Sequence, residues 1–459
     1  MRNAFAVTFA VLVAIFVVTQ AHRSSAEPDS RNRSATEPVP GNNPASDRFI
    51  AHEWGTFTTF SGSDGVYMDF RPLAAEHSDL PNYVLDRGSY SLNSAFTKSR
   101  IFGKVRMETP VTYFYTDRIR TVNVKVGFPE GLLTEFYPPV KEMLPPIDSK
   151  EIFTRGEAIG KSSLDWGDVD LIPLSQIVPT VADVDHQTQI ASSIVSGLLP
   201  HAANEQHYAE ARATDSALIH VRGKAGVLGQ ESSFFEKFLF YRGVGKFQLP
   251  ITSRFEGKEI VLQNEGDLPV RSAVLIDVDG STIKAAKISQ VEAGQTLVFD
   301  TPKTVTGDEL AELVHSGLVA EGLYEKEATS MIKTWQHSWF TEQGTRVLYM
   351  VPGPTTDELL PLQISPSPHE TVRVLVGRME IMSPQTEQEM MEAVARSSQH
   401  RTQHLAEQKG QPQPLPYTIP SEIRDFGRMA EPALVRVSKI TRDAAIRSEA
   451  QQLVQQFRN

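Results

Sequence analysis

The sequence predicts a mainly β protein that also carries α-helix: a strand-rich N-terminal unit, an antiparallel β-sandwich, a mixed α/β region and a C-terminal helical hairpin. Three observations predict it. Short runs rich in aromatic and β-branched residues, bounded by Gly, Pro, Asn or Asp, recur from residue 49 to residue 300. The hydrophobic period then lengthens to that of a helix, with Tyr324, Ala328, Met331, Ile332, Trp335 and Trp339 on one stripe. A Gln/Pro-rich stretch over 409–420 finally sets off a short, helix-patterned tail.

Taken in order, residues 1–26 begin with Met1-Arg2, continue as an uncharged, mostly apolar run from Ala4 to Val18, and end in Ser24-Ser25-Ala26. A short basic start, an apolar core under twenty residues and a small-residue exit describe an export signal, or an N-terminal anchor if it is not cleaved. Residues 27–47 hold Pro28, Pro38, Pro40, Gly41, Asn42, Asn43 and Pro44 without apolar periodicity, the composition of a disordered tether. The strand-rich unit spans 48–200, with strands expected at 49–60, 104–115, 121–128 and 135–137.

The β-sandwich is expected over 201–303, from strands at 217–222, 238–242, 259–263, 273–278, 282–288 and 296–299. Asn264-Glu265-Gly266 and Asp279-Gly280 supply its turns. In the α/β region, 304–408, the tryptophan stripe must be buried, and strands follow at 345–351 and 372–382. Ser383-Pro384 then offers an N-cap and a first-turn proline to a helix over 385–406. The linker 409–420 leads to the hairpin, 421–459.

Composition excludes several function classes. The chain contains no cysteine, which removes thiol catalysis and cysteine metal sites and leaves stability to burial. A net charge of −11 without a basic cluster argues against a nucleic-acid partner. The catalytic-serine, phosphate-loop, dinucleotide and HExxH signatures are missing.

The candidate site residues are dispersed. His52 and Glu53 are neighbours in a strand, so their side chains point to opposite faces and chelation needs partners from elsewhere. His201 and His207, six positions apart, meet at one metal only in a loop. Trp54 and Phe57 are anchors for packing or for a flat ligand such as a sugar ring. Glu236 and Arg242 share a face with Phe238 and Phe240, an arrangement that suits either a polar ligand or an ordinary cross-strand ion pair. His400 and His404 share a helical face in a segment that is polar all round, which reads as a solvated helix end.

The string His52-Glu53-Trp54-Gly55-Thr56-Phe57-Thr58, with Met107-Glu108-Thr109-Pro110-Val111 and residues 335–340, resembles a group of uncharacterised exported bacterial proteins. The resemblance implies a scaffold and no activity. The tail, with Phe426-Gly427-Arg428-Met429-Ala430-Glu431-Pro432-Ala433-Leu434 followed by Ile446, Ala450, Leu453 and Phe457 in register, resembles a single HEAT-like repeat. In that family helix pairs stack to bind partner proteins, and a lone pair must dock its apolar face on the body or on another chain. The expected function is an exported, extracytoplasmic, non-catalytic protein that binds a protein or a glycan. The alternative is a metal-assisted hydrolase that gathers a divalent metal between His52, Glu53, His201 and His207.

Overall fold

The strand at Phe49–Ser61, β1, is buried along its whole length, although its sequence mixes polar residues among the apolar ones. Such a strand lies inside a sheet covered on both faces. The computed structural model describes residues 47–70, 80–90, 101, 103–146, 160–177, 184–204, 206–413 and 415–458. The expected export signal, 1–26, and nearly all of the tether, 27–46, lie outside the described residues.

Among the described residues the other strands are β2 (Leu85–Asp86), β3 (Val105–Thr116), β4 (Arg120–Phe128), β5 (Gly131–Tyr137), β6 (Glu142–Leu144), β7 (Ser162–Ile172), β8 (Leu218–Lys224), β9 (Glu231–Glu236), β10 (Leu239–Gly245), β11 (Ile251–Glu256), β12 (Glu259–Asn264), β13 (Val270–Asp279), β14 (Thr282–Val291), β15 (Thr296–Val298), β16 (Lys303–Val305), β17 (Gly344–Val351), β18 (Leu362–Ser365) and β19 (Glu370–Ile381). The helices are α1 (Val184–Leu198), α2 (Gln206–Glu210), α3 (Gly307–Ala320), α4 (Glu325–Phe340), α5 (Gly353–Leu359), α6 (Pro384–Gln408), α7 (Ser421–Arg424), α8 (Ala430–Ile440) and α9 (Ala444–Arg458). None of them is long and apolar enough to cross a membrane.

The mainly β architecture with α is therefore observed, and its centre is a ten-stranded mixed sheet in the order β16-β14-β13-β17-β19-β1-β3-β10-β5-β2. β1 runs parallel to β19 and antiparallel to β3. One face of this sheet packs against a six-stranded sheet containing β4, β7 and β8 and a three-stranded sheet, β11-β12-β15. Phe57, Val124, Trp166, Leu262 and Leu375 share that interior. The opposite face is covered by α3 and α4, whose Leu318, Met331, Trp335 and Trp339 meet Trp54, Tyr113 and Val376.

The stretch expected as one sandwich, 201–303, does not close on itself. It contributes β8 and β9 to the six-stranded sheet, β10, β13 and β14 to the large sheet, and all of the small sheet. Two sheets do pack face to face, but each is assembled from segments far apart in the chain. Alternation and turn residues locate strands without naming their partners, and the long-range pairing of β1 with β19 exemplifies what they leave open.

Local signals are realised closely. Asp279 ends β13, Gly280 takes a positive φ of 58°, and β14 returns antiparallel. Ser383 caps α6, accepting from the Thr386 amide at 3.0 Å. The tail folds as the expected helical pair, α8 and α9, and docks on the body. Leu434, Val437, Ala450 and Leu453 bury against Met390 and Val394 of α6 and against Phe60 and Met68. Arg436 bridges Glu387 and Asp64 at its edge.

Candidate functional site

The three strings that carried the N-terminal resemblance meet in space. Residues 52–58 lie in β1; Val111 and Glu108 of β3 stand opposite Trp54 and Thr56; and residues 335–340 form the end of α4 above them. Alternation along β1 sends His52, Trp54, Thr56 and Thr58 toward α4, and Glu53 and Phe57 toward the second sheet.

On the helix side, His52 is 1% exposed, and its Nδ1 donates to Glu327 Oε2 at 2.7 Å. Glu327 is itself held by the Tyr115 hydroxyl at 2.7 Å and the Tyr324 amide at 2.8 Å. Burial, reinforced by Glu327, pushes the Tyr115 phenol well above its ordinary range. A carboxylate that fixes an imidazole is half of a general-base dyad. The other half is missing among the described residues, where His52 Nε2 is buried and meets no hydroxyl.

Further along the same face lies a group of charged side chains on β17, β19 and β3, joined by Glu342 and Arg428. Arg346 of β17 donates from Nε to Glu380 of β19 at 3.0 Å, and Arg378 donates to the same carboxylate at 2.6 Å. Arg378 also reaches Glu342 at 2.9 Å, and Arg428, from the turn before α8, reaches Glu342 at 3.1 Å. On β3, Glu108 pairs with Arg106 at 3.1 Å and accepts from Thr58 at 2.6 Å. Burial raises the Glu380 carboxyl, but Arg378 and Arg346 outweigh it and hold it down at about 2. Burial, then the facing Arg378 charge, pulls the Arg428 guanidinium down.

On the opposite face Glu53 is saturated. Its Oε1 accepts from the Thr112 hydroxyl at 2.9 Å and the Tyr241 hydroxyl at 2.6 Å, while Oε2 accepts from Arg373 at 2.6 and 2.8 Å. Burial alone lowers the Arg373 guanidinium, and Glu53 together with Asp357 more than restores it. Phe57 and Trp54 are fully buried, so neither presents a ring to a ligand. They are core residues, because covering both faces of β1 leaves its large side chains no other place.

Glu236 and Arg242 end up in different sheets. Glu236 closes β9 and is clasped by Arg212 at 2.8 and 3.0 Å and by the Lys237 amide at 2.8 Å. Arg212 lies over the rings of Tyr83 and Tyr208. Arg242, on β10, stands in register with Glu135 of β5. The single strand read through residues 236–242 is broken at Lys237-Phe238, where the chain passes from one sheet to the other. Burial draws Lys237 down to about 8, and its ammonium donates to the Ser216 carbonyl at 2.5 Å.

The metal candidates do not assemble. His52 and Glu53 face apart, His201 is exposed with Nε2 on the Ser196 carbonyl at 2.9 Å, and the His207 side chain lies outside the described residues. Among the described residues no group of three or more His, Asp or Glu side chains has the geometry to hold a metal ion. His404 bonds the Leu415 carbonyl at the exposed end of α6.

Sequence reasoning missed Arg346, Arg373, Arg378, Glu380 and Glu342. A signal existed: Arg378 and Glu380 fall two apart inside the mostly apolar run at 374–382, a charged pair on one face of a buried strand.

No family model matches the chain, and no curated protein matches it. Among solved structures, the mu-homology domain of yeast delta-COP-I, in complex with a Dsl1 WxWxV peptide, is similar over 75% of this chain and 98% of its own length. The identity is 7% and the TM-score 0.22, a level that does not establish a shared fold.

Proposed function

We propose that the protein is an exported, non-catalytic binding protein that works outside the cytoplasm. One observation carries the reading: the side chains best suited to acid–base or metal chemistry are committed to internal partners. Glu53 and Glu236 each accept four hydrogen bonds, and His52 is locked on Glu327. A catalytic base or metal ligand needs a free lone pair facing substrate, and these are saturated or sealed in the interior. The apolar run at 4–18 supports export. The charge of −11 favours a protein or glycan partner over a polyanion.

The test has two parts. Fractionation of cells expressing the full chain with a C-terminal tag should place it outside the cytoplasm, and recovery in the cytosol with Met1 retained would refute export. Untagged protein should carry less than about a tenth of an equivalent of zinc, iron, manganese or copper, and chelator should leave its unfolding unchanged. Stoichiometric metal that stabilises the fold would overturn the non-catalytic reading in favour of the hydrolase.

A further inference from the structure

His220 of β8 is 1% exposed, and its two ring nitrogens reach side chains on the strands either side of it. Nδ1 lies 3.1 Å from Asp170 Oδ2 on β7, and Nε2 lies 3.0 Å from the Ser233 hydroxyl on β9. Strand register explains the meeting. Asp170 stands opposite His220, and Ser233 stands opposite Arg222 two residues further along β8, so alternation puts all four side chains on one face of the six-stranded sheet. That face is turned away from the core, into which Ile219 and Val221 point. Phe235 stacks on the imidazole with ring centroids 4.7 Å apart, and Thr121 of β4 donates to the other Asp170 oxygen at 2.7 Å. Burial raises the Asp170 carboxyl, but hydrogen bonds from His220 and Thr121 outweigh it and hold the group below its ordinary value.

An ionised Asp170 can only accept, so Nδ1 carries the imidazole proton and Nε2 keeps the lone pair that accepts from the Ser233 hydroxyl. A hydroxyl, an imidazole and a carboxylate in this order are a nucleophile, its base and the group that orients the base, a constellation defined by geometry and not by a sequence motif. Ser233 is exposed on the last strand of the sheet, whereas His220 behind it is sealed, so an incoming molecule meets the hydroxyl first. We propose that Ser233 is a nucleophile that accepts one acyl group from a carboxylic ester. Its oxygen attacks the ester carbonyl carbon while its proton passes to His220 Nε2. The tetrahedral oxyanion then collapses, the bond to the alkoxy oxygen breaks, and the departing alcohol takes the proton from His220. One ester and one hydroxyl become one Ser233 ester and one released alcohol. Arg222, opposite Ser233, brings a positive charge to the face on which the oxyanion forms. Asp170 is a positioning residue that works through His220. The proposal adds one covalent step to the partner-binding reading without resting on it, and acylation requires no turnover.

The experiment treats the full chain with p-nitrophenyl acetate, follows release of p-nitrophenol, and maps the acetyl groups by peptide mass spectrometry. A burst of about one equivalent, with the acetyl group on Ser233, is expected. Ser233→Ala should abolish the burst, whereas Ser232→Ala, on the opposite face of β9, should retain it. His220→Gln should slow it on the order of a hundredfold. Asp170→Asn should slow it by about tenfold or more. It should also move the rise of burst rate with pH toward lower pH, because an imidazole without its carboxylate loses its proton more readily, a readout that a purely structural role would leave unchanged. Asp168, Arg222, Lys224 and Glu231 are the other charged residues on that face among the described residues, while Val195 and Leu199 of α1, packed beside Phe235, carry no charge. Should His220→Gln fail to fold, Asp170→Asn carries the test, since the Asp170 side chain is 34% exposed. Release beyond one equivalent that Ser233→Ala abolishes would support the nucleophile and refute the non-catalytic reading instead. Acetyl groups spread over lysines with Ser233 unmodified, or a burst that the His220 and Asp170 variants leave unchanged, would overturn the proposal and leave Thr121, Asp170, His220 and Ser233 as a structural ladder of hydrogen bonds.

Discussion

Replacing Glu53 with Gln tests whether its four hydrogen bonds are a structural clasp. Arg373 is 5% exposed, and its only other counter-charge among the described residues, Asp357, is 67% exposed and largely screened by water. Glutamine keeps the shape of the side chain but removes the charge and turns one acceptor into a donor facing either Arg373 or the Tyr241 and Thr112 hydroxyls. Stranding one member of a buried ion pair costs about 3–5 kcal/mol. Glu53→Gln should therefore lower the free energy of unfolding by that amount, measured from urea midpoints at pH 7. Arg373→Met should cost a similar amount, because it leaves Glu53 charged and buried with two neutral donors. The double variant removes both stranded groups, so it should cost about 2–3 kcal/mol less than the sum of the two singles. Single costs below about 1 kcal/mol, or strict additivity, would refute the clasp. A stable Glu53→Gln that loses a measured activity would instead make Glu53 a working acid or base.

Glu380 sets an acid limit. Its carboxyl titrates at about 2 in the folded protein against an ordinary 4.5, so its stabilisation is complete above the higher value and is lost as pH falls through the lower one. The amount at stake is on the order of 3 kcal/mol, and urea midpoints should drop between pH 5 and pH 2. Arg346→Met, which removes one of the two guanidiniums on Glu380, should move that drop to higher pH; an unchanged acid profile would contradict the assignment. Gly377→Ala would place a methyl 2.2 Å from Cζ of the fully buried Tyr349, so it should destabilise by about 1–3 kcal/mol in denaturant titration. Ending the chain at Pro420 would uncover Phe60, Met390 and Val394, so the truncated protein should bind a hydrophobic dye and lose cooperative unfolding. A truncated chain that melts at the wild-type temperature would show that α8 and α9 are dispensable to the core.

Local features of the fold were legible in sequence. The Asp279-Gly280 turn, the Ser383 cap, the tryptophan stripe of α4 and the tail helices follow from rules that act over a few residues, and each is found where those rules put it. The candidate site was legible only in pieces. The alternation that sent His52 and Glu53 to opposite faces was correct, but Glu236 and Arg242 parted because the chain changes sheets at Lys237, a break with no glycine or proline to announce it. The partners Glu327, Arg212 and Arg373 lie 275, 24 and 320 residues from the groups they hold, and no periodicity spans such separations.

By itself, then, the sequence determined the kinds of elements, their turns and caps, the absence of thiol chemistry and the apolar faces that had to be covered. Only the tertiary structure decided that β1 lies beside β19, that Trp54 and Phe57 are interior, and that the buried guanidiniums of Arg346 and Arg378 share the Glu380 carboxylate. The physical reason is range. Propensity, capping and side-chain alternation are fixed by neighbours along the chain, whereas strand pairing and charge compensation depend on which distant segments burial brings together.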